Sequence, residues 1–159
     1  MHTHYTEPEG HWDGAQCGGL VTVTPECRAH YIGTATLTGT LWGDDSYDLT
    51  TSTSSQSPGY ITYEGPNYVT GGVEGCGTGS YIFDDYGGKI DMTQYDPLTN
   101  SAPGYNIWRL RPGSGTGELT NLVSGEGENH WRIYFGGGKD GDPDQYGVGD
   151  FTGTITCRT

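Results

Sequence analysis

The chain is short of cations, of phenylalanine and of long apolar runs. Lysine and arginine together number 7 against 20 acidic residues, for a formal net charge of −13. A surface so poor in cations is unsuited to nucleic acid or to an anionic membrane, both of which select clusters of lysine and arginine. No stretch approaches the roughly 20 apolar residues of a membrane-spanning helix. The opening residues, MHTHYTEPEG, have neither the basic start nor the apolar stretch of a secretory leader. Cys-x-x-Cys pairs are also missing, which argues against zinc-ribbon or thioredoxin-like chemistry.

What is present points outside the cell. The four cysteines, Cys17, Cys27, Cys76 and Cys157, are even in number and read as two disulfides, which persist in oxidising compartments. Three pairings are open, and Cys17–Cys27 with Cys76–Cys157 is the favoured one. The expectation is a mature secreted domain from which a leader has been removed, with residues 1–16 as a polar N-terminal segment and 17–159 as one domain.

Glycine stands at 29 residues, where average usage of about 7% would give roughly 11. No run of ten residues keeps a helical period without glycine or proline. Strand patterns occur instead, as in YIGTATLTGTLWG (31–43), where Ala35, Leu37 and Leu41 alternate with threonines. Further strands are read in SYDLTTST, GYITYEG, NYVTGGVEGCGTGSYIF, GGKIDMTQY, YNIWRLR, HWRIYF and GDFTGTITC. Turns are read at Gly43-Asp44-Asp45, SSQSPG, DDYGG, YDPLTNSAPG and GGGKDGDPDQYG. The architecture expected is an all-β, single antiparallel up-and-down barrel of about eight strands.

The glycine-rich stretch RPGSGTGELTNLVSGEG (111–127) fails the phosphate-binding patterns. No lysine lies between Lys89 and Lys139, and the spacing Gly113, Gly115, Gly117 does not match a dinucleotide fingerprint. It reads as a corner: Pro112 ends a strand, and Leu119 and Leu122, three apart as on one helical turn, plug an end of the barrel. The same residues carry a likeness. PGSGTGELTNLVSGEG resembles the Gly-Gly-Ser/Thr-Gly-x-Phe-x-x-x-x-Gly segment of the allene oxide cyclase and dirigent barrel superfamily. It is closer still to a bacterial family of unknown function in that group, which carries a Pro-Gly-Ser-Gly-Thr-Gly-Glu-Leu run. The likeness covers Trp108 to Gly127, extends more loosely from Tyr31, and is absent from the first 16 residues; Leu119 stands where the plant sequences have phenylalanine. It implies an eight-stranded barrel with a small internal cavity, a homo-oligomer (a trimer in the plant relatives), and a role in guiding or isomerising reactive apolar small molecules. It assigns no catalytic residue here.

The residues themselves offer several candidate sites. Three of the seven basic residues, Arg109, Arg111 and Arg132, flank the corner. By alternation Arg109 and Arg111 share a face with Tyr105 and Ile107, opposite Trp108; His130, Arg132 and Tyr134 share a face opposite Trp131. If the polar faces line a cavity, Arg109, Glu128 and His130 supply acid–base catalysis, with Trp108, Trp131, Arg132 and Tyr134 as ligand contacts. The alternative is surface charge pairing with the aromatics in the core. Asp140, Asp142 and Asp144 repeat as in a calcium loop and would take Asp150 as a further ligand, but Gln145 and Phe151 break that pattern; a solvated acidic turn is the alternative. His2, His4 and His11 suit copper if His2 becomes the N-terminus, and otherwise decorate a frayed terminus. The 12 tyrosines and 4 tryptophans suit stacking on sugars or, equally, cover of a thin core.

The functional expectation is a secreted barrel that binds a small, mostly apolar molecule in an internal cavity. The alternatives are a cyclase or isomerase that needs no cofactor, and a carbohydrate-binding surface module. No cofactor is required by any of them, and calcium is the one ion the spacing suggests.

Overall fold

The structure, a computed structural model, describes residues 1–13, 28–54, 56–135 and 145–159. Eight antiparallel strands run in order around a closed barrel: β1 (His2–Asp13), β2 (Arg28–Gly39), β3 (Leu41–Ser52), β4 (Tyr60–Val73), β5 (Gly77–Asp91), β6 (Ser101–Leu110), β7 (Leu122–Tyr134) and β8 (Gln145–Cys157). Each strand pairs with the next, and β8 pairs back with β1, His4 opposite Asp150. The up-and-down barrel expected from alternation is therefore the fold.

Four boundaries differ from the sequence reading. Residues 2–13 are not a separate polar segment: they form β1, which closes the barrel, because Thr3, Tyr5 and Glu7 turn inward while their neighbours face out. Gly43-Asp44-Asp45 is not a turn; β2 ends at Gly39 and β3 runs through that triplet. Likewise DDYGG lies inside β5, while the strand read as continuous from Asn67 to Phe83 breaks between Val73 and Gly77.

Inward-facing glycines and large aromatics are matched in space. A Cβ on Gly104 would collide with Trp131 Nε1, and one on Gly88 with the Tyr63 ring. Glycine in these walls is thus the room taken by Trp131 and Tyr63, which explains why a glycine-rich chain still fills its core.

The corner motif closes one end. Ser114, Thr116 and Glu118 alternate along β5: Ser114 Oγ accepts from the Ile82 amide at 3.0 Å, Thr116 Oγ1 from the Ser80 amide at 3.0 Å, and Glu118 Oε2 from the Thr78 amide at 2.8 Å. Gly117, at φ +61°, opens a 3-10 turn over Gly117–Asn121 that inserts Leu119, fully buried, into the core. Leu122 begins β7 and is partly buried against the same core. Beside it Cys76 and Cys157 are joined as a disulfide; Cys17 and Cys27 lie outside the described residues.

Candidate functional site

The middle of the barrel is polar. Tyr5 and Glu7 on β1, Asp45 and Tyr47 on β3, Tyr63 and Asn67 on β4, Asp85 on β5, Asn106 on β6, and Asn129 and Trp131 on β7 all point inward and are buried. They are inward because strands alternate: Asp44 and Asp84 face out, so Asp45 and Asp85 face in. No lysine, arginine or histidine is buried among the described residues, so three carboxyls share this interior without a cation.

Asp85 is the best-held of the three. Asn67 Nδ2 donates to its Oδ2 at 2.9 Å and Asn106 Nδ2 to its Oδ1 at 2.7 Å. The network continues outward: Asn129 Nδ2 and the Tyr63 hydroxyl both donate to Asn106 Oδ1, at 2.9 and 2.8 Å, and Trp131 Nε1 donates to the Tyr63 oxygen at 2.6 Å. Those donors fix the orientation of the Asn106 amide, because its oxygen must take them and its nitrogen must then face Asp85.

Burial pushes the Asp85 carboxyl up to about 7, against the pull of the Asn67 and Asn106 amides, which favour the anion. Glu7 is pushed up further, to about 8, by burial first and by the charge of Asp85 second, with the Tyr31 hydroxyl donating to Oε2 at 3.5 Å. Asp45 is also raised by burial and by the two other carboxyls, and its Oδ1 has no hydrogen-bond partner among the described residues. All three carboxyls are therefore held toward the protonated form by burial, and Asp85 is the one whose anion has amide donors.

The enclosed space between these groups is small, about 10 Å³, room for about one water. Tyr5 stacks on Phe151 at 4.7 Å on one side, and Tyr63 meets the edge of Trp131 at 5.8 Å on the other. His/Cys/Asp/Glu clusters suited to a metal ion are absent among the described residues.

The residues singled out from sequence lie elsewhere. Arg109, Glu128 and His130 are on the outer wall: Arg109 stands over the Tyr86 ring at 5.6 Å, and Glu128 takes the Tyr105 hydroxyl and His130 Nε2, both at 3.3 Å. This is the surface-pairing arrangement, with the aromatics inward. Trp108 is buried and donates to the Thr152 carbonyl at 3.1 Å; Trp131 belongs to the polar interior. Arg132 donates to Ser101 Oγ at 2.8 Å and Tyr134 stacks on Tyr146 at 4.6 Å, both outside the core. Asp140, Asp142 and Asp144 lie outside the described residues. Asp150 faces out, its Oδ1 3.0 Å from His2 Nε2 and 3.2 Å from His4 Nδ1. The side chain of His11 lies outside the described residues as well.

Sequence reasoning missed Glu7, Asp45 and Asp85. The signal was available in Thr3-x-Tyr5-x-Glu7 and in the parity of Asp45 with Tyr47 and Leu49.

No protein-family model matches this chain, and no curated protein does. The closed eight-stranded antiparallel barrel is compatible with a barrel superfamily.

Proposed function

We propose that this protein is an acid–base enzyme of the cyclase or isomerase type that works without a cofactor, built on a barrel like those of the allene oxide cyclase and dirigent group. The single observation that carries this reading is the buried Glu7–Asp45–Asp85 set, in which Asp85 is gripped by two amides and no cation is buried among the described residues. Burying carboxyls with no cation costs several kcal/mol that an apolar layer would not, and raised, oriented carboxyls are the usual equipment of proton-transfer sites. A dry apolar pocket, as the simple binding reading requires, does not describe an interior of acids and amides; with about 10 Å³ between them, a substrate must displace side chains that line this space to reach Asp85.

In this reading Asp85 takes a proton from carbon next to a carbonyl and returns it further along the conjugated system. Glu7, still protonated, donates a hydrogen bond to the oxygen on which charge develops. Protons and electrons balance without oxidant or reductant. The Cys76–Cys157 disulfide supports placing the protein in an oxidising compartment, as a secreted domain.

The test uses a β,γ-unsaturated ketone, 3-cyclohexenone, followed by ultraviolet absorbance as it becomes the conjugated isomer. The expected result is turnover that falls about a hundredfold or more in Asp85→Asn. Equal rates in wild type and Asp85→Asn, or no rate above buffer in either, would contradict the reading.

A further inference from the structure

Among the described residues, every ionisable acid or base that lines the interior cavity is an acid: Glu7, Asp45 and Asp85, with the weakly acidic tyrosines beside them. Burying three carboxyls together costs free energy that a cation placed among them would return. None of the described residues supplies that cation.

The hydrogen bonds around the cavity leave acceptors over rather than donors. Asn67 Nδ2 and Asn106 Nδ2 both donate to Asp85, Asn129 Nδ2 donates to Asn106 Oδ1, and Trp131 Nε1 donates to the Tyr63 oxygen. Each side-chain nitrogen in the lining is therefore engaged. Two oxygens are not: Asp45 Oδ1 and Asn129 Oδ1 have no hydrogen-bond partner among the described residues. Both residues line the cavity, and they are only 3% and 4% exposed. A guest in this space must donate hydrogen bonds to be held, and positive charge on it is favoured by the three acids.

The rest of the wall suits an organic cation. Tyr5, Tyr47, Tyr63, Trp131 and Phe151 line the same space, and aromatic ring faces attract ammonium groups. A net charge of −13 also draws cations toward the protein at long range. The cavity of about 10 Å³ takes about one water, which is also the bulk of an ammonium head group. An ammonium reaches its acceptors at about 2.7–3.2 Å, wider than the roughly 2.3–2.6 Å that calcium demands.

We propose that the interior of the barrel binds the primary ammonium group of a small organic amine, which donates to Asp45 Oδ1 and Asn129 Oδ1 inside the aromatic wall. The proposal rests on the reading of this interior as the reaction site, and it names the substrate class: a small β,γ-unsaturated ketone that carries a primary amine. With the ammonium on Asp45, Asp85 is left to the carbon that loses its proton. The body of the ligand takes its room by pressing aside the rings that line the cavity.

The experiment is an NMR titration of the whole protein with carbon-13 methylammonium chloride, with methanol as a neutral donor of the same size, and with potassium chloride as a cation that donates nothing. The side-chain carboxyl carbons of Asp45 and Asp85 report the interior. The expected result is that methylammonium moves the Asp45 carboxyl and that its methyl group gives cross-peaks to the buried ring of Phe151. Methanol and potassium should each bind about tenfold more weakly or worse. Asp45→Asn should weaken methylammonium by a similar factor, whereas Asp44→Asn, its outward neighbour, should leave binding unchanged; thermal melts of both variants report the fold. The wild-type comparison decides alone if Asp45→Asn does not fold. Methanol or potassium binding as tight as methylammonium, shifts confined to surface acids, or unchanged binding in a folded Asp45→Asn would overturn the proposal. Methylammonium in the interior with 3-cyclohexenone left unconverted by wild type would uphold the cation site and remove the acid–base reading. Conversion of the ketone with no methylammonium in the interior would uphold the base and remove the cation site.

Discussion

At the stoppered end of the barrel, Leu37, Leu41, Val73 and Leu119 belong to an apolar core that is closed by the Cys76–Cys157 disulfide. A few residues further along the same strands, Asp45 replaces that chemistry on β3, Asn67 on β4 and Asp85 on β5. Both layers are buried to the same degree, and both are built by the same alternation of strands. The stoppered layer gains stability from burial. The middle layer gives stability up, because each carboxyl there must stay protonated or carry an unpaired charge out of water. The contrast marks the stopper as the part that holds the barrel shut and the middle as the part that the proposed reaction would use.

Changing pH should separate the two layers most strongly. In the unfolded chain carboxyls ionise near 4, whereas in the folded protein Asp85 does so at about 7 and Glu7 at about 8. Between those limits the unfolded chain has released protons that the folded one still holds, so stability falls as pH rises from about 4 through about 8, with Asp45, also raised, adding to the decline. Asp85 alone accounts for about 4 kcal/mol over that window. Thermal melts from pH 4 to pH 9 should show the decline. Glu7→Gln should flatten it and should be more stable than wild type at pH 8; a melting temperature that climbs from pH 5 to pH 8 would break the comparison.

The stoppered end should respond to covalent and packing changes instead. Opening the disulfide by Cys76→Ser with Cys157→Ser releases a loop with a sequence separation of 81 and should cost about 4 kcal/mol in a denaturant titration. Leu119→Ala leaves a cavity under the corner and should cost about 3 kcal/mol by the same measurement. Neither change should alter the slope of stability with pH, since neither touches a titrating group. At the small end of the scale, His130→Ala on the outer wall should leave the melting temperature unchanged, because its pair with Glu128 is exposed to solvent on both sides.

How much of this was legible in the sequence depends on which rule a residue obeyed. Alternation in YNIWRLR and HWRIYF put Trp108 and Trp131 on one face and Arg109 and His130 on the other, and that is how they stand. The corner at Pro112–Gly117 and its plug were legible too, since proline, glycine and leucine there act through local geometry. The candidate site was not. Asp44-Asp45 and Asp84-Asp85 lie beside glycine, a composition that favours turns, and so both pairs were read as turns. In the structure each pair is strand, with one aspartate out and one in. Tertiary pairing overrode local preference: the neighbouring strands supply ladder partners on both sides of Asp45 and Asp85. Glu7 was hidden by a different effect, since a polar terminus gives no local sign that it closes a sheet. Its strand exists because β2 and β8 each offer an edge for it to pair with.

The most direct measurement is a carbon-13 NMR titration of the side-chain carboxyls of Glu7 and Asp85 between pH 4 and pH 9. The account predicts that Asp85 gives up its proton at about 7 and Glu7 at about 8. Both carboxyls fully ionised by pH 5 in the folded protein would contradict it.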